Sequence, residues 1–188
     1  MNARSLLSLL PNLITLARLL AVPVTVYLIL QGAYAAAFWL FVAAGVSDAL
    51  DGFLAKRFDL VSEIGAYLDP LADKALLVSV FVALGYLNHV AMWLVILIVF
   101  RDVLIIGGAI LYQTLTQSLE MTPLFISKVN TVMQIGLACA VLAQLGTGWH
   151  LPEVTQSLVI LTAATTFLSG GAYVIKWGLK AVLMERDD

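Results

Sequence analysis

The chain has 188 residues, of which 62% are hydrophobic and only 12% are charged, and its formal net charge is −2. A soluble domain usually carries about 25% charged residues, so this composition excludes an ordinary soluble domain and indicates a protein solvated by lipid. The only cysteine is Cys139, which excludes an intramolecular disulfide.

The chain begins with a short segment, residues 1–12, predicted to lie at the membrane interface because SLLSLL offers an apolar face before Pro11. Apolar runs of about 20 residues, enough for a helix to cross a hydrocarbon core, then recur to the end of the chain. They predict an all-α integral membrane protein with one membrane domain over residues 1–188 and six transmembrane helices, at about 13–31, 34–57, 64–86, 90–115, 124–145 and 154–182.

An alternative interpretation of the N-terminus is a secretory signal, since Arg4 precedes the apolar run LLAVPVTVYLIL and the small-residue cluster AYAAA. Pro11, Asn12 and Arg18 interrupt the approach to that run, and Pro23 lies inside it. This pattern favours a first transmembrane helix.

The basic residues predict the orientation in the membrane. All ten lysines and arginines lie within a span or near one side, and the loops near Gly32, His89 and His150 contain none. By the positive-inside rule, both termini and the loop after the second span are expected to face the cytoplasm. The protein is expected to lie in an inner or cytoplasmic membrane.

Six of the twelve acidic residues lie in the stretch SDALDGFLAKRFDLVSEIGAYLDPLADK. Asp48 and Asp51 are spaced i,i+3 at the end of the second span, and Asp69 and Asp73 are spaced i,i+4 at the start of the third. Each pair therefore lies on one face of its helix. Because a short loop joins the two helices as an antiparallel hairpin, the four carboxylates can converge near the membrane surface.

A divalent cation resolves the repulsion expected between four carboxylates in a partly dehydrated place. All-oxygen ligation suits Mg²⁺ or Mn²⁺, and four carboxylates suffice for two ions that bridge a phosphate substrate. Gly52, Gly65 and Ala55 leave room for a ligand close to these helices. The alternative is that the acids only solvate a turn, which is the role we expect for Asp59 and Glu63.

The segment DALDGFLAK and, after eight further residues, GAYLDPLAD resemble the signature of the CDP-alcohol phosphotransferases, D-x2-D-G-x2-A-R-x8-G-x3-D-x3-D. Seven of the eight fixed positions match. The difference is Lys56, where the family usually has arginine. Lysine keeps the charge but loses the planar fork, and Arg57 can partly substitute. PNLITLARLLAVP, RDV at 101–103 and SKVNTVMQ at 127–134 extend the resemblance over most of the chain.

The resemblance implies a six-helix membrane enzyme, commonly a homodimer, in which two divalent cations support transfer of a substituted phosphate from a CDP-linked donor to an alcohol. It also implies that Asp73 accepts the proton of the attacking hydroxyl. The implied site consists of the metal ligands Asp48, Asp51, Asp69 and Asp73, the donor-binding residues Asn12, Thr15, Gly52, Ala55, Lys56 and Gly65, and the acceptor- or phosphate-binding residues Arg18, Arg57, Arg101, Lys128 and Thr131. Structural alternatives are an ion pair for Arg101 and interhelical hydrogen bonds for Thr15 and Thr131.

Within the family, RDV and FISKVNTVMQ are most similar to CMP-forming cardiolipin synthases, which implies CDP-diacylglycerol as donor and phosphatidylglycerol as acceptor. The alternative is a phosphatidylglycerophosphate synthase that uses glycerol-3-phosphate. The loop QTLTQSLEMTP contains no Lys or Arg, which favours a lipid acceptor. A small metal-dependent transporter is a third hypothesis, disfavoured because the acids cluster at one surface and no paired halves are evident. No nucleic-acid partner is expected.

Overall fold

The computed structural model describes residues 9–58, 63–116, 124–149 and 152–184, with side chains described within 13–48, 72–108, 124–149 and 152–177. Every regular element in these ranges is an α-helix, which confirms the predicted all-α fold. The helices are α1 (Leu9–Leu30), α2 (Tyr34–Phe58), α3 (Glu63–Tyr86), α4 (Met92–Thr116), α5 (Phe125–Thr147) and α6 (Pro152–Met184).

The largest difference from the predicted helix boundaries is at the start of α1. This helix begins at Leu9 rather than near residue 13, and it runs through Pro11. A proline is tolerated there because the first N–H groups of a helix have no intrahelical partner. Residues 1–8, the rest of the predicted interfacial segment, lie outside the described residues.

Two of the predicted breaks between helices are C-terminal caps with a left-handed residue. Gly32 follows α1 with a φ of 74°, and Asn88 follows α3 with a φ of 60°. In each case the N–H groups of this residue and the next bond back to carbonyls of the last helical turn, at 3.0 and 2.9 Å. This is the Schellman arrangement, and glycine and asparagine are the residues that adopt its left-handed position at least cost.

Polar and apolar side chains are distributed in the opposite way to a soluble protein. Large apolar side chains such as Phe100 and Phe167 are 63% and 72% exposed, whereas Arg101 and Gln134 are 2% and 0% exposed. Lipid accepts the first kind of surface, and the protein interior shields the second kind from lipid.

Three segments of the described chain are long and apolar enough to cross a membrane: Leu13–Leu30, Phe125–Thr147 and Pro152–Trp177. A fourth, Tyr34–Asp48, is apolar but shorter. Together with the apolar outer surfaces, these helices define an integral membrane protein.

The chain divides into two compact units, one comprising Met1–Val90 with Ala138–Leu151 and the other Ala91–Leu137 with Pro152–Asp188. In the first unit, α1 packs against both α2 and α3, and Phe81 is fully buried. In the second unit, α4 packs against α6. The single membrane domain over residues 1–188 stays a prediction.

Candidate functional site

The first unit brings two of the predicted acidic residues onto one arginine. Arg18 lies on α1, Asp48 on α2 and Asp73 on α3. The Nη1 atom of Arg18 lies 2.8 Å from Asp48 Oδ1 and 2.8 Å from Asp73 Oδ1. Because α1 packs against both other helices, it holds their two carboxylates around a single nitrogen.

The charges in this cluster do not balance. One guanidinium faces two carboxylates, and its side chain is only 2% exposed, whereas those of Asp48 and Asp73 are 38% and 44% exposed. Arg18 therefore contacts the two acids from the buried side, and the side chains of both acids are partly exposed. Among these three side chains the negative charges exceed the positive charge by one, which favours a cation beside them.

Several predicted site residues lie in the helices around this cluster, but their side chains fall outside the described part of the chain. Two of them are the predicted metal ligands Asp51 and Asp69. The others are Asn12 in α1, Gly52, Ala55, Lys56 and Arg57 in α2, and Gly65 in α3. Glu63 is likewise described only in its backbone, and Asp59 lies outside the described residues altogether.

Asp48 and Asp73 fit a hard divalent cation in chemistry, because they are partly exposed oxygen donors with excess negative charge. Among the described side chains, no group of three or more His, Cys, Asp or Glu residues could hold a metal ion. The four-carboxylate site therefore stays a prediction, since Asp51 and Asp69 are not among those side chains. Thr15, predicted to contact the donor, is 1% exposed on α1, one turn before Arg18.

The second unit contains a different arginine cluster. Arg101 and Asp102 of α4 form an ion pair of 2.7 Å between Nη1 and Oδ1, with side chains only 3% and 5% exposed. Arg101 Nε donates to Ser169 Oγ of α6 at 3.1 Å, and its Nη2 donates to Ser127 Oγ of α5 and again to Ser169. One guanidinium thus joins three helices. Its predicted phosphate contact stays a prediction.

The other predicted residues of this unit lie on α5. Lys128 is exposed, and the Thr131 hydroxyl donates to the carbonyl of Ser127 one turn earlier, at 3.1 Å. Sequence reasoning missed Ser169, which contributes to the Arg101 cluster. The available signal was a small polar residue in the run FLSGGA of α6, because hydroxyls in apolar helices commonly bond across helices.

An all-helical membrane protein with a partly exposed acidic cluster belongs among enzymes and carriers that handle charged groups at a membrane surface. Comparison of this sequence with known protein families identifies one family within that class. The sequence model of the CDP-alcohol phosphatidyltransferase family matches residues 8–168, so the chain belongs to that family. The family is generally dependent on divalent metal and uses CDP-diacylglycerol and an alcohol in a membrane setting.

Individual relatives carry two kinds of name. The chain is 37% identical over 189 residues to a chloroplastic CDP-diacylglycerol–glycerol-3-phosphate 3-phosphatidyltransferase of Oryza sativa, covering 89% of this chain and 56% of the relative. It is 35% identical over 188 residues to the CMP-forming cardiolipin synthase of Rattus norvegicus, covering 92% and 62%. A probable phosphatidylglycerophosphate synthase of Mycobacterium tuberculosis is 29% identical, with 92% and 83% covered. The chain thus spans roughly half to two thirds of the first two relatives.

Proposed function

We propose that the chain transfers a phosphatidyl group from CDP-diacylglycerol to an alcohol, with release of CMP. The observation that carries this proposal is the pair of carboxylates, Asp48 and Asp73, held on Arg18 Nη1 at 2.8 Å each. These acids belong to the stretch that resembles the family signature. Membership of an enzyme family also favours this proposal over a transporter.

In the proposed site, Asp48, Asp51, Asp69 and Asp73 hold two divalent cations, Mg²⁺ or Mn²⁺. The excess negative charge around Arg18 supports this assignment. When bound, such cations neutralise the donor diphosphate and stabilise the charge that develops on the leaving group.

Asp73 is the proposed general base. Its carboxylate accepts the proton of the acceptor hydroxyl, the hydroxyl oxygen forms a bond to the phosphorus that carries the diacylglycerol, and the bond from that phosphorus to CMP breaks. CMP leaves with the electron pair of the broken bond. Partial exposure of the Asp73 side chain, 44%, supports the role because a base must reach its substrate.

Other residues are proposed to bind rather than react. Asn12, Thr15, Gly52, Ala55, Lys56 and Gly65 are assigned to the CDP donor, and Arg18, Arg57, Arg101, Lys128 and Thr131 to the acceptor or to phosphates. For Arg18 the contacts with Asp48 and Asp73 add a second role. It positions the acids that hold the cations.

Phosphatidylglycerol is the proposed acceptor, which makes cardiolipin the product. Support comes from the loop after α4, QTLTQSLEMTP, which has no Lys or Arg to bind a soluble phosphorylated acceptor. The second candidate is a phosphatidylglycerophosphate synthase acting on glycerol-3-phosphate. It is favoured by the rice relative, whose name specifies that acceptor.

The proposed setting is an inner or cytoplasmic membrane, with both termini and the acidic site on the cytoplasmic side. The distribution of the ten Lys and Arg residues supports this orientation. A homodimer is proposed from the family resemblance alone.

A direct test uses purified protein with labelled CDP-diacylglycerol and either phosphatidylglycerol or glycerol-3-phosphate, in Mg²⁺, in Mn²⁺ and with a chelator. We expect metal-dependent CMP release and cardiolipin formation with phosphatidylglycerol only. Release with glycerol-3-phosphate only would establish the second candidate. Absence of CMP release with both acceptors and both metals would refute the proposed activity.

A further inference from the structure

A strip of buried polar side chains joins α5 to α6 within the second unit. We call this the polar strip, and it consists of Ser127, Asn130 and Gln134 on α5 and Thr162, Thr166 and Ser169 on α6. Five of the six residues are fully buried, with 0% exposure, and Ser127 is half-buried. Polar atoms buried between two apolar helices are expected to be hydrogen-bonded.

The polar strip has a regular antiparallel register. Ser127 and Ser169 share the guanidinium of Arg101, and Thr166 Oγ1 donates to Asn130 Oδ1 at 2.8 Å. Further along, a Cβ on Gly136 would lie 3.7 Å from the Leu158 side chain. Moving forward on α5 therefore means moving backward on α6 by about the same number of residues. Gln134 is consequently placed opposite Thr162.

The two ends of the polar strip differ in how their polar atoms are satisfied. Around Ser127, Arg101 supplies donors to both serine hydroxyls. Asn130 Oδ1 accepts from Thr165 at 2.9 Å as well as from Thr166. At the Gln134 end, the Oε1 and Nε2 atoms of Gln134, the Thr162 hydroxyl and Asn130 Nδ2 have no hydrogen-bond partner among the described residues. Fully buried side chains with such unsatisfied atoms require a polar ligand or buried water to complete their hydrogen bonds.

The four atoms define what that ligand must offer. The two amide nitrogens donate, Gln134 Oε1 accepts, and the Thr162 hydroxyl does either. A phosphodiester or a fully ionised phosphate only accepts, so it would leave Oε1 unsatisfied, and a metal cation would face the N–H groups. A neutral ligand with more than one hydroxyl satisfies every atom. Beyond this point the environment is apolar, since Leu137 is fully buried and Leu158 packs near Gly136.

We propose that Asn130, Gln134 and Thr162 bind the vicinal hydroxyls of a glycerol group on the alcohol acceptor. The inference rests on the proposed function, because both candidate acceptors, phosphatidylglycerol and glycerol-3-phosphate, carry such a glycerol. It assigns acceptor recognition to uncharged residues of α5 and α6, in addition to the basic residues already proposed.

The test compares Gln134→Leu and Thr162→Val with the wild type in two measurements. In turnover assays, we expect the KM for the glycerol-bearing acceptor to rise about tenfold or more, because a binding group is lost, while the KM for CDP-diacylglycerol stays unchanged. In thermal unfolding, the unliganded variants should be at least as stable as the wild type, because an unsatisfied buried group has been replaced by an apolar one. Gln156→Leu, which alters an exposed glutamine of α6, is the matched control.

Ligand-induced stabilisation tests binding independently of turnover. Phosphatidylglycerol should raise the unfolding temperature of the wild type and of Gln156→Leu more than phosphatidic acid does, since phosphatidic acid lacks the glycerol headgroup. Both strip variants should lose this difference. Parallel runs with glycerol-3-phosphate and inorganic phosphate show whether the lipid or the soluble acceptor is the source of the glycerol.

The outcomes separate the two proposals. If phosphatidylglycerol or glycerol-3-phosphate stabilises the wild type but not the strip variants, and CMP is never released, the binding site is supported and the proposed activity is wrong. If the wild type turns over and both variants keep its acceptor KM and its ligand preference, the polar strip binds water only and this inference is wrong. Lower stability of both unliganded variants would also overturn it, because the groups would then have protein partners.

Discussion

Arg18 and Arg101 are both buried arginines on apolar helices, yet they contact their surroundings in different ways. Arg18 uses one nitrogen, Nη1, for two carboxylates from two other helices. Arg101 uses Nε, Nη1 and Nη2 for one carboxylate and two serine hydroxyls. The contacts of Arg101 need the planar fork of a guanidinium, whereas one nitrogen of Arg18 makes both contacts with Asp48 and Asp73.

The two clusters also differ in charge balance and exposure. Asp48 and Asp73 exceed the charge of Arg18 and are partly exposed, so their cluster can attract a cation. Arg101 and Asp102 neutralise each other, and both are almost fully buried. The bonds from Arg101 to Ser127 and Ser169 join α4 to α5 and α6. In these contacts Asp48 and Asp73 outnumber their arginine, whereas Arg101 and Asp102 are paired one to one.

The largest effect is expected at the unbalanced cluster. Asp73→Asn should lower CMP release by about a thousandfold or more, because it removes both the proposed base and a cation ligand. Binding of CDP-diacylglycerol should persist, which can be measured with labelled donor. Glu153→Gln, an equivalent change at an exposed position of α6, is the control. Near-normal turnover of Asp73→Asn would remove this residue from the proposed mechanism.

A smaller effect is expected when the charge supporting the acids is changed. Arg18→Gln should lower turnover by about a hundredfold, because the two carboxylates repel each other and shift out of position. Arg18→Lys should retain more activity than Arg18→Gln, since an ammonium can replace Nη1 in the contacts with Asp48 and Asp73. Turnover of both variants at saturating Mg²⁺ provides the measurement. Equal losses in the two variants would show that the Arg18 fork, and not its charge, is required.

The Arg101 cluster should lose more stability than the Arg18 cluster when its arginine is replaced by lysine. Arg101→Lys can keep the ion pair with Asp102 but not the bonds to both Ser127 and Ser169, so we expect a loss of stability of about 2 kcal/mol. Thermal unfolding in one detergent compares it with Arg18→Lys. The distinction between the clusters fails if Arg18→Lys destabilises the protein as much as Arg101→Lys does.

The smallest effect concerns packing of α4 against α6. A Cβ on Gly108 would overlap the indole ring of Trp177, whereas a Cβ on the neighbouring Gly107 would meet no atom within 4 Å. Gly108→Ala should therefore destabilise the protein by about 1 kcal/mol, and Gly107→Ala should leave stability unchanged or raise it, because alanine is the better helix former. Unfolding temperatures of the two variants check this. A destabilised Gly107→Ala would contradict this account, because neither packing nor helix propensity predicts a loss of stability at that position.

The helices could be predicted from the sequence because lipid imposes a simple requirement. A segment that crosses the bilayer must be apolar for about 20 residues and must satisfy its backbone internally, so runs of hydrophobic residues and the breaks at Gly32 and Asn88 are visible in the sequence. The start of α1 was predicted less accurately, because proline breaks a helix in its interior but is tolerated in the first turn, where Pro11 lies.

The candidate site could be predicted in part. The spacing of Asp48 and Asp73 indicated that acids from two helices would converge, but Arg18 was assigned to phosphates, and its position between the acids is visible only in the structure. Ser169 and Thr162 were not selected at all. A hydroxyl in an apolar run has the same appearance in sequence whether it bonds to its own helix, as Thr131 does, or to another helix.

Composition and acidic spacing are enough to assign the class of this protein, because the composition favours a lipid-solvated helical chain and the spacing resembles the signature of one enzyme family. Tertiary structure decided which charges balance. Arg18 and Arg101 are alike in the sequence in that each is basic within an apolar run, although Arg101 has Asp102 as its neighbour. Only the packing of other helices supplies two carboxylates to Arg18 and two serine hydroxyls to Arg101. The physical reason is that spacing along a helix fixes which face a side chain occupies, whereas its partners lie on other helices, distant in sequence.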